Sequence, residues 1–209
     1  IRVAALSKKI AERIGADQTL AERAALISKS DLITDMVGEF ADLQGIMGRY
    51  YAIADGEHPD VAEAQLEQYL PRFSGDDVPA TAVGATLAIS DKLDTIVGIF
   101  SIGQQPSGSR DPFALRRASL GVLRIIINRA IDLDLNDAIN IAGNQLKLDN
   151  KALELIRKQV LAYVLERFKS WYKEEGLSPE IFLSVAALDL SNPLDIDSVS
   201  YTHLTLPTK

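Results

Sequence analysis

The chain has 209 residues, 47% hydrophobic and 24% charged, with a formal net charge of −7 and no cysteine. That composition supports one sizeable core, or a core with a small appended bundle, and excludes disorder over most of the length. Disulfides and thiolate metal sites are excluded, which fits a reducing compartment; no apolar run reaches bilayer-spanning length and no signal peptide opens the chain, so the expectation is a soluble cytoplasmic protein.

Helical spacing dominates. Leu32, Met36, Phe40, Leu43 and Met47 recur every three or four residues beside an acidic stripe of Asp31, Asp35, Glu39 and Asp42, which predicts one amphipathic helix weakened at Gly45 and Gly48. Asp55-Gly56 marks a turn, Pro59 opens a helix through Tyr69, and Pro71 stops it. Residues 71–79, PRFSGDDVP, read as a loop, after which Val83, Leu87, Leu93 and Val97 predict a helix from about Ala80 to Phe100. A loop follows from Gly103 to Arg110, with Asp111 as the expected N-cap and Pro112 as the first residue of a helix through Asn128.

Further helices are predicted over Leu135 to Leu146, Lys151 to Glu174, and Pro179 to Leu188 with Ser178 as its cap. The second carries Leu153, Ile156, Val160, Val164 and Phe168 on one stripe, a core face or, alternatively, a partner-binding face. Strand-like alternation is weak except in the final residues, Ser198 to Lys209. Residues 191–209 are expected to form an irregular, non-native tail without a functional role. The predicted fold class is all-α: a helical domain over 1–150, a smaller helical segment over 151–190, then the tail.

The chemistry concentrates between Asp91 and Ile125. Residues 110–129 hold five arginines (110, 116, 117, 124 and 129) against one acid, Asp111, a formal charge of +4, so the rest of the chain carries −11. An acidic chain that gathers positive charge in one short segment points to local positioning of a polyanion. The loop GQQPSGSRDPF, Gly103 to Phe113, offers two glycines, Ser107, Ser109 and a helix N-terminus whose backbone N–H groups suit phosphate, although it lacks Walker A spacing. Arg116 and Arg117 are adjacent and diverge by about 100° on a helix, whereas Arg117 and Arg124, seven residues apart, share one face. Arg110, Arg116, Arg117 and Arg124 are therefore candidate phosphate or RNA contacts, and the competing role for each is a bidentate pair with a carboxylate such as Asp91 or Asp94.

Three blocks carry a family resemblance: DLITDMVGEFADLQGIMG, Asp31 to Gly48; GEHPDVAEAQLEQYLP, Gly56 to Pro71; and the segment from Ser90 to Ile125, with weaker similarity in LAYVLERFKSWYKEEG, Leu161 to Gly176. The chain resembles the beta subunit of the bacterial two-subunit glycyl-tRNA synthetase, departing where that family usually has Ala at Ser90 and Thr at Ser107. The resemblance implies an internal fragment of a longer subunit, not catalytic alone. It also implies an alpha subunit that activates glycine with ATP and Mg, an α2β2 tetramer with a second beta subunit, and tRNA(Gly) as the RNA, met here by positioning rather than chemistry.

It further implies a degenerate relative of the metal-dependent HD phosphohydrolase fold. A working site of that kind needs several histidines beside a helix-borne Asp91 or Asp94, and the chain has only His58 and His203. His58, before Pro59 at a helix start, reads as a surface turn residue. No catalytic or metal residue is therefore expected, and a purely structural docking module without RNA contact is the alternative function.

Overall fold

The computed structural model describes residues 1–108, 110–146, 148–174 and 190–205, with 174 and 201–205 described by backbone alone. Among these residues there is no β-strand, only an isolated bridge between Ser107 and Arg110, so the fold is all-α. None of its helices is long and apolar enough to cross a membrane. The backbone falls into two compact units, residues 1–94 and 95–209, which divide inside one long helix, whereas the sequence places a boundary near residue 150.

The first unit holds α1 (Arg2–Ile14), α2 (Gln18–Ile27), α3 (Asp35–Glu39), α4 (Ile46–Ala54), α5 (Pro59–Glu67) and the start of α6 (Ala82–Ser101). Asp17 caps α2 by accepting from Thr19 N at 2.8 Å and Leu20 N at 2.9 Å, satisfying two of the donors that every helix start leaves open. α1 packs on α2, α2 on α5, and α4 on α5. Their shared core mixes Ala4, Ala24 and Ala64 with Val61, Val83 and Leu87, small residues that allow the helix axes to come close.

The predicted helix over Asp31 to Met47 is broken. A 3-10 turn at Ser30–Ile33, α3, a second 3-10 turn at Ala41–Leu43 and α4 replace it. Thr34 is extended (φ −87°, ψ 147°) and caps α3, and Gly45 turns the chain at φ 79°. Asp31, expected on a solvent stripe, is buried, and its Oδ2 accepts from Gly45 N at 2.7 Å and Gly48 N at 3.2 Å. A carboxylate able to satisfy two backbone donors outcompetes continuous helical pairing here, and Leu32, Met36 and Phe40 of the predicted core stripe are left exposed.

The second unit holds the rest of α6 with α7 (Leu115–Asn128), α8 (Leu135–Asn144), α9 (Asn150–Leu165), α10 (Arg167–Glu174) and α11 (Pro193–Thr205). Asp134 caps α8 and Asp149 caps α9. α7 and α8 pack on α9, and α10 and α11 pack on α7. Ile156, Val160, Val164 and Phe168 are buried, so the predicted stripe is core-facing, although the helix there is interrupted at Glu166.

The expected irregular tail is helical over Pro193–Thr205. Asn192 Oδ1 accepts from Leu194 N at 3.1 Å and Pro193 takes the first helical position, so the supposedly helix-breaking SNPLDID is a helix start. Ile196 and Ser200 are buried, and Tyr172 on α10 donates to Ser200 Oγ at 3.0 Å. The helix predicted over Pro179 to Leu188, with its cap Ser178, lies outside the described residues.

Candidate nucleic-acid interface

All the candidate arginines lie in the second unit, on the loop after α6 and on α7. Ser107 and Arg110 exchange backbone hydrogen bonds, Arg110 N to Ser107 O at 2.9 Å and Ser107 N to Arg110 O at 3.2 Å, closing a tight turn whose Gly108 adopts φ 55°. That left-handed position is one glycine occupies without strain. Ser107 and Arg110 are exposed at the turn, and Ser109 lies outside the described residues.

Helix α7 begins at Leu115, three residues later than predicted, because Pro112 and Phe113 form a turn and Ala114 is left-handed (φ 54°). Asp111 still supplies the cap from a distance: its Oδ1 accepts from Leu115 N at 2.8 Å and its Oδ2 from Arg116 N at 2.9 Å. The expectation that this helix N-terminus offers its N–H groups to a phosphate is thereby corrected. A carboxylate already fills that position, and a second anion would meet its charge.

The arginines divide by face. Leu115, Val122, Leu123, Ile125 and Ile126 bury one side of α7. Arg117 is exposed on the opposite side, and Arg124 stands about 10 Å further along the axis on the same face. Arg124 is half-buried and has an interaction of its own within the protein. Arg116, rotated away from Arg117, turns back and donates from Nη2 to Gly108 O, bracing the loop onto the helix. Of the four candidates, Arg110 and Arg117 make no side-chain hydrogen bond or ion pair among the described residues and are presented outward, as is Arg129 at the end of α7.

The carboxylates weighed as partners of these arginines also meet cations of the first unit. Asp94 takes Arg2 in a two-point pair, Nε to Oδ1 at 3.0 Å and Nη2 to Oδ2 at 2.9 Å, and Asp91 accepts from Lys29 Nζ at 2.5 Å. Both carboxylates lie on the half of α6 that belongs to the first unit, where α1 and the turn before residue 30 supply the cations. His58 caps α5, its Nδ1 accepting from Asp60 N at 3.2 Å; the side chain of His203 lies outside the described residues. Among the described residues, no three His, Cys, Asp or Glu side chains gather as a metal-holding group.

Tyr163 and Arg167 on α9 and α10 belong to the same neighbourhood and went unread in the sequence. The Tyr163 hydroxyl is buried without a hydrogen-bond partner among the described residues, and burial pushes its pKa up, with Asp111 adding to the rise and Arg167 and Arg116 opposing it. Arg167 lies over the Tyr163 ring, 4.9 Å from its centroid, and Phe100 meets the ring edge-on at 5.2 Å. The i, i+4 spacing of Tyr163 and Arg167 was the available signal. An open cavity of about 410 Å³ lies elsewhere in this unit, lined by Asp134, Asn136, Asp137, Asn140 and Arg157. Arg157 is held there by Glu154 and Asn136, so the lining is acidic and unsuited to a polyanion.

Comparison with known proteins places this geometry in context. The family model of the glycyl-tRNA synthetase beta subunit matches residues 1–187. Glycine–tRNA ligase beta subunits from Marinobacter nauticus and Chromohalobacter salexigens are 54% and 53% identical, over 94% and 93% of this chain. That of Photobacterium profundum is 53% identical over 94% of the chain. The chain spans 28% of the length of each of these relatives. Matched as one block over residues 1–187 and identical to such relatives at more than half of the aligned positions, the chain belongs to the glycyl-tRNA synthetase beta subunit family.

Proposed function

We propose that this chain is the part of a glycine–tRNA ligase beta subunit that positions tRNA(Gly) by gripping its phosphate backbone, in the cytoplasm and within an α2β2 tetramer. Activation of glycine, with ATP and Mg, would take place on the alpha subunit. The observation that carries the reading is the outward presentation of Arg110 and Arg117, unpaired among the described residues, in a chain whose net charge is −7. Their guanidinium groups would each offer a two-pronged grip on phosphate, while Arg116 and Asp111 hold the loop and helix start at fixed geometry. Such contacts set register and orientation and carry no base information. They would raise the effective concentration of the acceptor end at the distant active site and perform no bond chemistry themselves. The helical array would be the degenerate HD-like scaffold for this surface.

The test is glycylation and tRNA binding by the whole alpha–beta enzyme carrying Arg110→Ala or Arg117→Ala, measured across salt. Removing one guanidinium that neutralises a phosphate should reduce the slope of log affinity against log salt by roughly 0.7–0.9, with melting unchanged. Unchanged affinity and slope in both variants would overturn RNA contact and leave a structural docking module. Arg116→Ala should instead lower melting, since its partner is a backbone carbonyl of its own loop.

A further inference from the structure

Helix α4 faces the wrong way for a core helix. Its buried residues are Gly48 and Ala52, both small. Its large apolar residues Ile46, Tyr50 and Ile53, spaced i, i+4 and i+7 and hence stacked along one stripe, are 37%, 56% and 52% exposed. Gly48 is what seats the inner face. A Cβ there would stand 3.2 Å from the Asp31 carboxylate and 3.3 Å from Gln65 Cβ, so the helix lies close over α5 by means of small residues and turns its bulk outward.

The neighbouring segment repeats the pattern. The 3-10 turn that packs beside α4 exposes Ile33, and α3, packed on that turn, exposes Met36, followed by Phe40 at its end. The same segment exposes Asp35, Glu39 and Asp42, and residues 30–48 contain no lysine or arginine. Arg49 lies 5.9 Å over the Tyr50 ring but is paired with Glu63, so the free charge beside these apolar side chains is acidic. An apolar surface with such a margin suits a protein–protein contact and disfavours RNA.

We propose that this face is a docking surface for a segment of the same longer subunit outside the 209 residues, a segment presenting apolar side chains among lysines and arginines. Two observations commit it to that occupant. Close relatives are more than three times as long as this chain, which covers 28% of them, so most of such a subunit lies beyond it. Charge complementarity to Asp35, Glu39 and Asp42 then requires the covering segment to be basic. A patch covered only by a separate chain would stand open on every newly made subunit until assembly, an aggregation hazard that burial within one polypeptide avoids.

The experiment introduces Tyr50→Cys or Ile53→Cys into the full-length subunit and follows maleimide labelling of that peptide by mass spectrometry. Each rate is compared with the rate for the same position in denaturant. Both substitutions are at exposed, non-core sites of this unit, and circular dichroism of each variant checks that it folds. The expected result is labelling slowed on the order of tenfold or more in the isolated subunit, unchanged by dilution, by the alpha subunit or by tRNA. Labelling at the denatured rate in the isolated subunit overturns the proposal, whether or not alpha subunit or tRNA then protects. Protection that disappears on dilution also overturns it, in favour of contact between two copies. As a second measurement, Phe40→Lys should destabilise the full-length subunit by opposing the basic segment, and unchanged melting would count against that chemistry.

Discussion

Two glycines of the same helix should respond in opposite senses to one added methyl group. In α6, a Cβ at Gly84 would stand 1.9 Å from Glu67 Oε2 and 2.8 Å from its Cβ and Cδ, whereas a Cβ at Gly98 meets nothing within 4 Å. Glu67 is buried and cannot simply swing aside, because its carboxylate starts the helix: Oε1 accepts from Ala80 N at 2.6 Å, and both oxygens accept from Thr81 N at 3.2 Å. The Thr81 hydroxyl donates to Oε2 as well. Hydrogen bonds to a charged group contribute about 1.5–3 kcal/mol each, but Ala80 is exposed and Thr81 half-exposed, so water recovers part of the loss and the displacement costs about 3 kcal/mol in all. Replacing a helical glycine by alanine returns about 1 kcal/mol, leaving Gly84→Ala destabilising by about 2 kcal/mol and Gly98→Ala stabilising by about 0.5–1 kcal/mol. Urea unfolding followed by circular dichroism measures both. Glu67→Ala combined with Gly84→Ala should cost less than the sum of the single changes, by about 3 kcal/mol, because the clash disappears with the side chain and only the gain of a helical alanine remains. Equal effects of the two glycine substitutions, or simple additivity in the double variant, would refute the clash as the cause.

Other perturbations test the buried polar groups. Lys92 donates to Gln68 O at 3.2 Å and Leu70 O at 2.8 Å, and burial pushes its pKa down to about 8, with nearby Asp91 opposing and Lys29 reinforcing the shift. The unfolded chain therefore binds more protons than the folded one between pH 8 and 10.5, so this group makes stability rise with pH across that window. Urea midpoints of Lys92→Met should lack that rise and, at neutral pH, reflect two orphaned carbonyls. Tyr163→Phe removes a buried hydroxyl that has no partner among the described residues and should leave stability unchanged or raise it by up to about 1 kcal/mol in thermal melts. Asp111→Ala frees two N–H groups at the start of α7 and should cost about 1–2 kcal/mol in melting while strengthening tRNA binding by the whole enzyme at low salt, since a carboxylate leaves the arginine surface.

Much of the helical order was readable. The helix opening at Pro59, the helix beginning at Leu135 and the stripe from Ile156 to Phe168 depend on neighbours within one or two turns, and these stand where the spacing puts them. The separation of Arg116 from the Arg117 and Arg124 face is likewise a matter of helical angle. Spacing failed between Asp31 and Met47. The apolar period there is real, but it marks a surface, because Asp31 takes the interior for the sake of two backbone donors fourteen and seventeen residues away. The i, i+4 pairing of Tyr163 with Arg167 was legible, but the burial of the Tyr163 hydroxyl in the field of Asp111 and Arg116 was not, because those residues come from a distant part of the chain.

The amino-acid order was enough to decide the all-α class, the positive segment within an acidic chain and the family, since each rests on local periodicity, composition or block similarity. Which charges meet was decided only by the packing of helices. Asp94 chose Arg2 across 92 residues, Asp91 chose Lys29 across 62, and Asp111 closed the helix start that a phosphate was expected to occupy. Ion pairing and capping depend on distances of about 3 Å between groups remote in sequence, and no pattern along a chain encodes a distance that arises only when helices come to rest on a common core.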